Sequence, residues 1–80
     1  MTRDEVHKRL TGVFRDIFDD PSLEITDKTT ADDIADWDSI THINLITAVE
    51  QEFKVAFSTK DVKSLKNVGD FVGLIATRAG

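Results

Sequence analysis

The sequence predicts an all-α protein, a four-helix bundle with a long first loop and a short third helix. Four segments place apolar residues at the three- and four-residue spacing of an α-helix, and a capping residue precedes each segment. The one strand-like stretch, residues 54–57, is too short to form a sheet and has no partner strand. A chain of 80 residues fits a single domain spanning 1–80.

The first helix is predicted at about residues 3–18. Thr2 followed by Glu5 fits a capping box, the reciprocal pairing that starts a helix. One face of the segment carries a continuous apolar stripe: Val6, Leu10, Val13, Phe14, Ile17 and Phe18. Pro21 cannot continue the helical hydrogen-bond ladder, so the helix must end before it.

A long connection, residues 19–37, follows the first helix. Isolated apolar residues within it predict a loop that packs onto the core: Leu23, Ile25, Ile34 and Trp37. Thr30 and Asp33 have the spacing of a cap, so a short helical turn is expected near residues 30–34.

Three further helices are predicted after the loop. Asp38 is a good N-cap for a second helix at about 39–53. Ser58 or Thr59 caps a short third helix that buries Val62 and Leu65, and Asn67 caps a fourth. The largely buried core is expected to contain the following side chains: Phe14, Ile17, Leu45, Ile46, Val49, Phe53, Phe71 and Ile75.

Composition excludes several classes of function. Fifteen acidic and ten basic residues give a net charge of −5, which disfavours nucleic acid as a partner. There is no cysteine, so neither a disulfide nor a thiolate metal site can form. No apolar run approaches the roughly 20 residues of a membrane span, and the N-terminus lacks the core of a signal peptide. We therefore expect a cytoplasmic monomer.

Ser39 stands where the polar loop becomes the second helix, in the sequence DWDSI. A serine in a first helical turn is commonly structural. A nucleophile would need a base and an orienting group, and His42, three residues on, has no evident third member. A helix N-terminus also tolerates a phosphate, so Ser39 could instead carry a phosphodiester. The dense acids of residues 32–38 lack the glycine and glutamate of a calcium loop, and no metal site is expected.

The stretch DWDSITHINLITAVEQEF, residues 36–53, resembles the second helix of acyl carrier proteins and their peptidyl relatives. The similarity continues through VAFSTKDVKSLKNVGDFVGLI, so it spans nearly the whole chain. The resemblance implies an acyl-carrier-protein-like bundle in which Ser39 bears 4'-phosphopantetheine taken from coenzyme A. It also implies that Asp38 faces the phosphopantetheinyl transferase. The protein would then perform no catalysis, and would present a thioester-bound cargo to acyl-loading and acyl-transferring enzymes.

The residues expected to contact partners surround Ser39 and extend onto the third helix: Asp36, Ile40, Ile43, Asn44, Lys60 and Lys63. Ile43 is also a candidate wall for a bound acyl chain. Thr41 and Asn44 replace acids that are common in fatty-acid carriers, and residues 54–66 contain four lysines and one aspartate. This basic segment indicates dedicated partners in a specialised lipid, polysaccharide or secondary-metabolite pathway. The alternatives are a peptidyl or aminoacyl carrier, and an unmodified helical interaction module.

Two further side chains depart from the fatty-acid form of the family. Trp37 precedes the helix cap, so we expect it to anchor the loop. His42 falls on the inward stripe of the second helix, in its first turn. Burial and the helix N-terminus both disfavour a positive charge there. We expect a neutral, hydrogen-bonded packing residue, with a role beside the thioester or a partner as the alternative.

Overall fold

A computed structural model describes residues 2–79, and these form the predicted all-helical bundle. The first helix, α1, spans Arg3–Ile17, and its cap Thr2 accepts a hydrogen bond from the backbone N–H of Glu5. The helix ends at the cap residue Phe18, followed by Asp19 in a left-handed conformation with φ of 50°.

The loop that follows is fixed to the core at several points along its length. Ile25 is buried, whereas the other three predicted anchors are only partly buried: Leu23, Ile34 and Trp37. A single 3₁₀ turn, Ala31–Asp33, lies where it was predicted, with both halves of the Thr30–Asp33 capping box formed.

The second helix, α2, spans Ser39–Phe53, as predicted, and Asp38 is its N-cap. It ends at Lys54, whose φ of 55° is left-handed. Residues 54–57 form no strand, and the backbone N–H of Phe57 instead donates to Glu50 Oε2 at 2.8 Å. This bond holds the turn that leaves α2 against the helix itself.

The third helix, α3, is short and spans Thr59–Lys63, with Ser58 as its cap and Asp61 completing a capping box. The prediction that it buries Val62 and Leu65 was wrong in degree. Both side chains are only partly buried, and Leu65 lies beyond the end of the helix. Five residues make little more than one helical turn, so α3 presents too narrow an apolar face to be covered.

The fourth helix, α4, spans Val68–Ala79. Asn67 acts as its cap, since its Oδ1 accepts the backbone N–H of Asp70 at 2.9 Å. Arg78 near the end of α4 holds α3 in place by donating to Asp61 Oδ2 at 2.8 Å and to the Ala56 carbonyl at 3.0 Å.

The core lies between α1, α2 and α4. Its buried members are Val6, Leu10, Val13, Phe14, Ile25, Leu45, Ile46, Val49, Phe53, Val68, Phe71, Val72 and Ile75. Ile17 was also expected to be largely buried, but it is only partly so. It occupies the last position of α1 and borders an open groove between α1 and α2, which leaves one side of its side chain uncovered.

Candidate functional site

Ser39 is the first residue of α2 and is exposed to solvent. Its hydroxyl makes no hydrogen bond with any of residues 2–79, so no competing interaction has to be broken before it reacts. Because Ser39 begins α2, its hydroxyl stands at a helix N-terminus, where backbone N–H groups and the helix dipole favour a negative charge. The geometry suits a serine that receives a phosphodiester.

Asp38 fixes the start of the helix beside Ser39. Its Oδ1 accepts two hydrogen bonds from Thr41, one from the backbone N–H and one from the hydroxyl, both at 2.9 Å. These bonds lower the pKa of the Asp38 carboxyl, because they stabilise its ionised form. A fixed negative charge consequently stands next to the serine hydroxyl at neutral pH.

A groove with a volume of about 490 Å³ opens beside Ser39. The serine itself forms part of its wall, together with Ala31, Trp37, Asp38, His42 and Ile43. Ala31 and Trp37 come from the long loop and the others from the start of α2. The role of Ala31 in this wall was not foreseen, because nothing local in the sequence places the 3₁₀ turn against α2.

Trp37 forms the floor of this region and packs among aromatic rings from three helices. Its ring lies 5.3 Å from Phe14 of α1 in an edge-to-face arrangement and 6.3 Å from Phe71 of α4, measured between centroids. It also stacks on His42 of α2, with 5.9 Å between centroids and 21° between planes. The prediction that Trp37 anchors the loop is confirmed by these contacts.

His42 is neutral in this environment. The indole Nε1–H of Trp37 donates to His42 Nδ1 at 3.0 Å, so Nδ1 carries no proton and the ring proton must be on Nε2. Burial of the ring also lowers the pKa of His42, because burial disfavours the charged form. The prediction of a neutral, hydrogen-bonded packing residue is confirmed, and Trp37 is the partner that the sequence did not identify.

The arrangement does not provide an activated nucleophile. His42 directs Nδ1 to Trp37, and no hydrogen bond connects it to Ser39. Within residues 2–79 there is likewise no group of three or more acidic or histidine side chains that could hold a metal ion. Among residues 2–79, no histidine is hydrogen-bonded to the hydroxyl of Ser39 to act as its base.

The other predicted contact residues are exposed around Ser39 or on α3. Ile40 and Ile43 expose 73% and 65% of their surfaces, the two large exposed hydrophobic residues of the part of the chain that the structure describes. Asp36 and Asn44 are also exposed. Ile40 and Ile43 both follow Ser39 closely on α2. Exposed apolar side chains grouped in this way are a common feature of a contact surface.

The four lysines of the basic segment form no ion pair with the described residues. Lys60 and Lys63 are exposed on α3, and their ammonium groups pair with no carboxylate of residues 2–79. Lys66, the last lysine of the segment, lies beyond the end of α3, where its backbone N–H donates to Asp70 Oδ2 at 2.9 Å. The unpaired charges remain available to an external surface.

Comparison with known proteins identifies the class. The family model described as "Phosphopantetheine attachment site" matches residues 8–75. The chain therefore belongs to the phosphopantetheine-binding carriers, whose members carry a covalently attached phosphopantetheine and are not catalysts.

Individual relatives narrow the class to acyl carrier proteins. An acyl carrier protein of Renibacterium salmoninarum is 41% identical over 57 residues, 71% of this chain and 69% of its own length. One from Acidothermus cellulolyticus is 28% identical over 76 residues, 95% of this chain and 90% of its own. The solution structure of a holo acyl carrier protein from Geobacter metallireducens superimposes with a TM-score of 0.87 at 41% identity. It covers 91% of this chain and 84% of its own. The chain is thus a member of the acyl carrier protein family.

The residues present fit the prosthetic group. Ser39 offers, at a helix N-terminus, a hydroxyl that none of residues 2–79 bonds. The groove beside it is lined by apolar side chains and by His42, whose Nε2–H likewise bonds to none of these residues. When bound, the group supplies a terminal thiol that holds an acyl cargo as a thioester.

No helix of residues 2–79 is both long enough and apolar enough to cross a membrane.

Proposed function

We propose that Ser39 is the attachment point of the phosphopantetheine arm and that Asp38 helps the transferase to recognise it. The observation that carries this proposal is the exposed, unbonded hydroxyl of Ser39 at the start of α2, next to the ionised carboxylate of its cap. The acid is held in one orientation by Thr41, so it offers the transferase a fixed negative charge beside the hydroxyl.

The test is an intact-mass measurement after incubation with coenzyme A and a phosphopantetheinyl transferase. Wild-type protein should gain the mass of one arm, and Ser39→Ala should gain none. Ser64→Ala is the matched control, since Ser64 is also exposed at a helix end, and it should be modified like the wild type. An arm on Ser39→Ala would place the attachment elsewhere, and an unmodified wild type would favour an interaction module without an arm.

We further propose that this carrier serves dedicated partners rather than general fatty-acid synthesis. Its acidic loop contains Asp36 and Asp38, whereas α3 carries Lys60 and Lys63 without ion pairs to the described residues. A partner in contact with both regions would need a basic surface for the loop and an acidic or neutral one for α3. An enzyme that is basic throughout would be repelled by α3.

Charge reversal tests this second proposal. The double variant Lys60→Glu/Lys63→Glu should bind a fatty-acid ketosynthase more tightly than the wild type at low salt, with a smaller difference at high salt. Lys8→Glu/Lys28→Glu changes the net charge equally at exposed positions outside α3 and should have less effect. Equal affinities for the two double variants would mean that net charge, and not the surface of α3, determines the preference.

A further inference from the structure

His42 lines the groove beside Ser39 and carries a hydrogen-bond donor that no described residue satisfies. Because Trp37 occupies Nδ1 of His42, the proton of the imidazole is on Nε2, and Nε2 bonds to none of residues 2–79. The ring is only partly exposed and lines the groove. A half-buried N–H group without a partner is most stable when a ligand or water oxygen accepts from it.

The rest of the wall is largely apolar. Trp37 and Ala31 approach from the loop side, and Ile43 closes the side formed by α2, with 65% of its own surface left exposed. The volume of about 490 Å³ lies in the range of roughly 300–1,000 Å³ that is usual for small-molecule sites. The lining thus combines apolar side chains with the imidazole of His42, which suits a ligand that has methyl groups next to amide or hydroxyl oxygens.

The phosphopantetheine arm has this chemistry, and it would be tethered in the groove wall. Its pantoyl unit carries two methyl groups and a hydroxyl, and two amides follow before the thiol. A group tethered at the edge of its own site has an effective concentration on the order of millimolar, so even weak contacts would populate the bound position.

We propose that the groove binds the pantoyl and first amide part of the arm. His42 Nε2–H donates to a hydroxyl or amide oxygen of the arm, and Trp37 and Ile43 cover its methyl groups. This inference rests on the proposed attachment at Ser39. It adds a resting position for the arm on the loop side of α2 and makes His42 a positioning residue for it.

Trp37 provides a direct readout, because it is the one tryptophan of the 80-residue chain. The indole N–H resonance and the emission maximum of Trp37 are compared in the unmodified and the arm-bearing protein. In the wild type both should shift on attachment of the arm, with the emission moving to shorter wavelength as the arm excludes water. Intact mass is recorded on the same samples.

Four variants test whether the arm rests in the groove or only at the helix end. Ile43→Ser removes an apolar wall and His42→Leu removes the donor, and each should abolish most of the shift in molecules whose intact mass shows that the arm is attached. Ile40→Ser is the matched control, since Ile40 is also next to Ser39 and 73% exposed but does not line the groove. It should retain the full shift, and His42→Gln, which keeps a donor, should restore part of it.

The outcomes distinguish the two proposals. If the arm is attached at Ser39 but leaves both Trp37 signals unchanged, the groove is not its resting position, although the function stands. A shift that appears only when the arm carries an acyl chain would assign the groove to the cargo and overturn the inference. Equal loss of the shift in Ile40→Ser and Ile43→Ser would also overturn it. If the wild type gains no arm, the proposed function and the inference fail together.

Discussion

Replacement of Gly69 by alanine should destabilise the protein, whereas the same replacement at Gly12 should stabilise it. Gly69 is the second residue of α4, and its backbone N–H donates to the Asp27 carbonyl at 3.0 Å. The neighbouring N–H of Val68 donates to the Thr29 carbonyl at 2.9 Å. These two bonds attach the long loop to the first turn of α4.

The magnitude follows from the space around each glycine. A Cβ atom at Gly69 would lie 3.0 Å from the Asp27 carbonyl oxygen and 3.2 Å from Asp27 Cβ. The oxygen belongs to the backbone, so the loop would have to move. Overpacking of this kind costs about 1–3 kcal/mol. A Cβ at Gly12 meets nothing within 4 Å, and alanine there should add about 0.5–1 kcal/mol through its better helix propensity.

Thermal unfolding followed by circular dichroism measures both variants on one scale. We expect the midpoint to fall for Gly69→Ala and to rise for Gly12→Ala, with roughly 4–8 °C between melting temperatures for each kcal/mol of difference. Both variants gain helix propensity, so the gap between them reports mainly the contact with Asp27. If Gly69→Ala were as stable as Gly12→Ala, the close attachment of the loop to α4 would be refuted.

Two further predictions concern the core and the aromatic contact. Leu45→Ala should cost about 2–5 kcal/mol because the side chain is fully buried, and Gln51→Ala, exposed on the same helix, is the control. A thermal melt that moved equally for both would refute the assignment of the buried face. Folding lowers the pKa of His42 from an ordinary value of 6.5, so its stabilising effect should be complete above that pH and decline as the pH falls below it. Compared with wild type, His42→Gln should lose this part of the pH dependence of unfolding. Identical pH profiles would mean that burial of His42 has no energetic effect.

Local signals in the sequence account for most of the helix boundaries. The Asp38 cap and the stripe of Leu45, Ile46 and Val49 both act within a few residues, so the predicted span of α2 agrees with the structure. The same holds for the Thr30–Asp33 turn. Caps and hydrophobic periodicity involve residues that are close together along the chain, so they do not depend on contacts with distant segments.

Contacts between distant segments could not be predicted in this way. The position of the loop depends on backbone bonds from α4 to Asp27 and Thr29, and backbone groups leave no mark in the residue types. The tie between α1 and α2 was also missed. In it Arg9 Nε and Nη2 donate to Glu52 Oε2 at 2.9 and 2.7 Å, and the guanidinium lies 4.9 Å from the Phe53 ring centroid.

The candidate site shows the same division. Ser39 and Asp38 were identified because they are adjacent and stand at a helix start. The groove was not, because its wall combines Ala31 with residues that lie six or more positions further along the chain. A helical wheel gives the directions in which Ile40 and Ile43 point from the helix axis. How much of each side chain is exposed depends on which surfaces the other helices cover, and the wheel does not show this.

α3 is held to the rest of the protein by few contacts, and this affects how it can move. None of its residues is buried, and Arg78 of α4 donates to Asp61 within α3 and to the carbonyl of Ala56 just before it. Detaching this segment therefore exposes little apolar surface, and its opening free energy lies well below that of global unfolding. In native-state hydrogen exchange, the amide of Val62 should exchange through such local opening. The amide of Val49 should exchange only through global unfolding. The helix that carries Lys60 and Lys63 should thus open locally while α1, α2 and α4 stay folded.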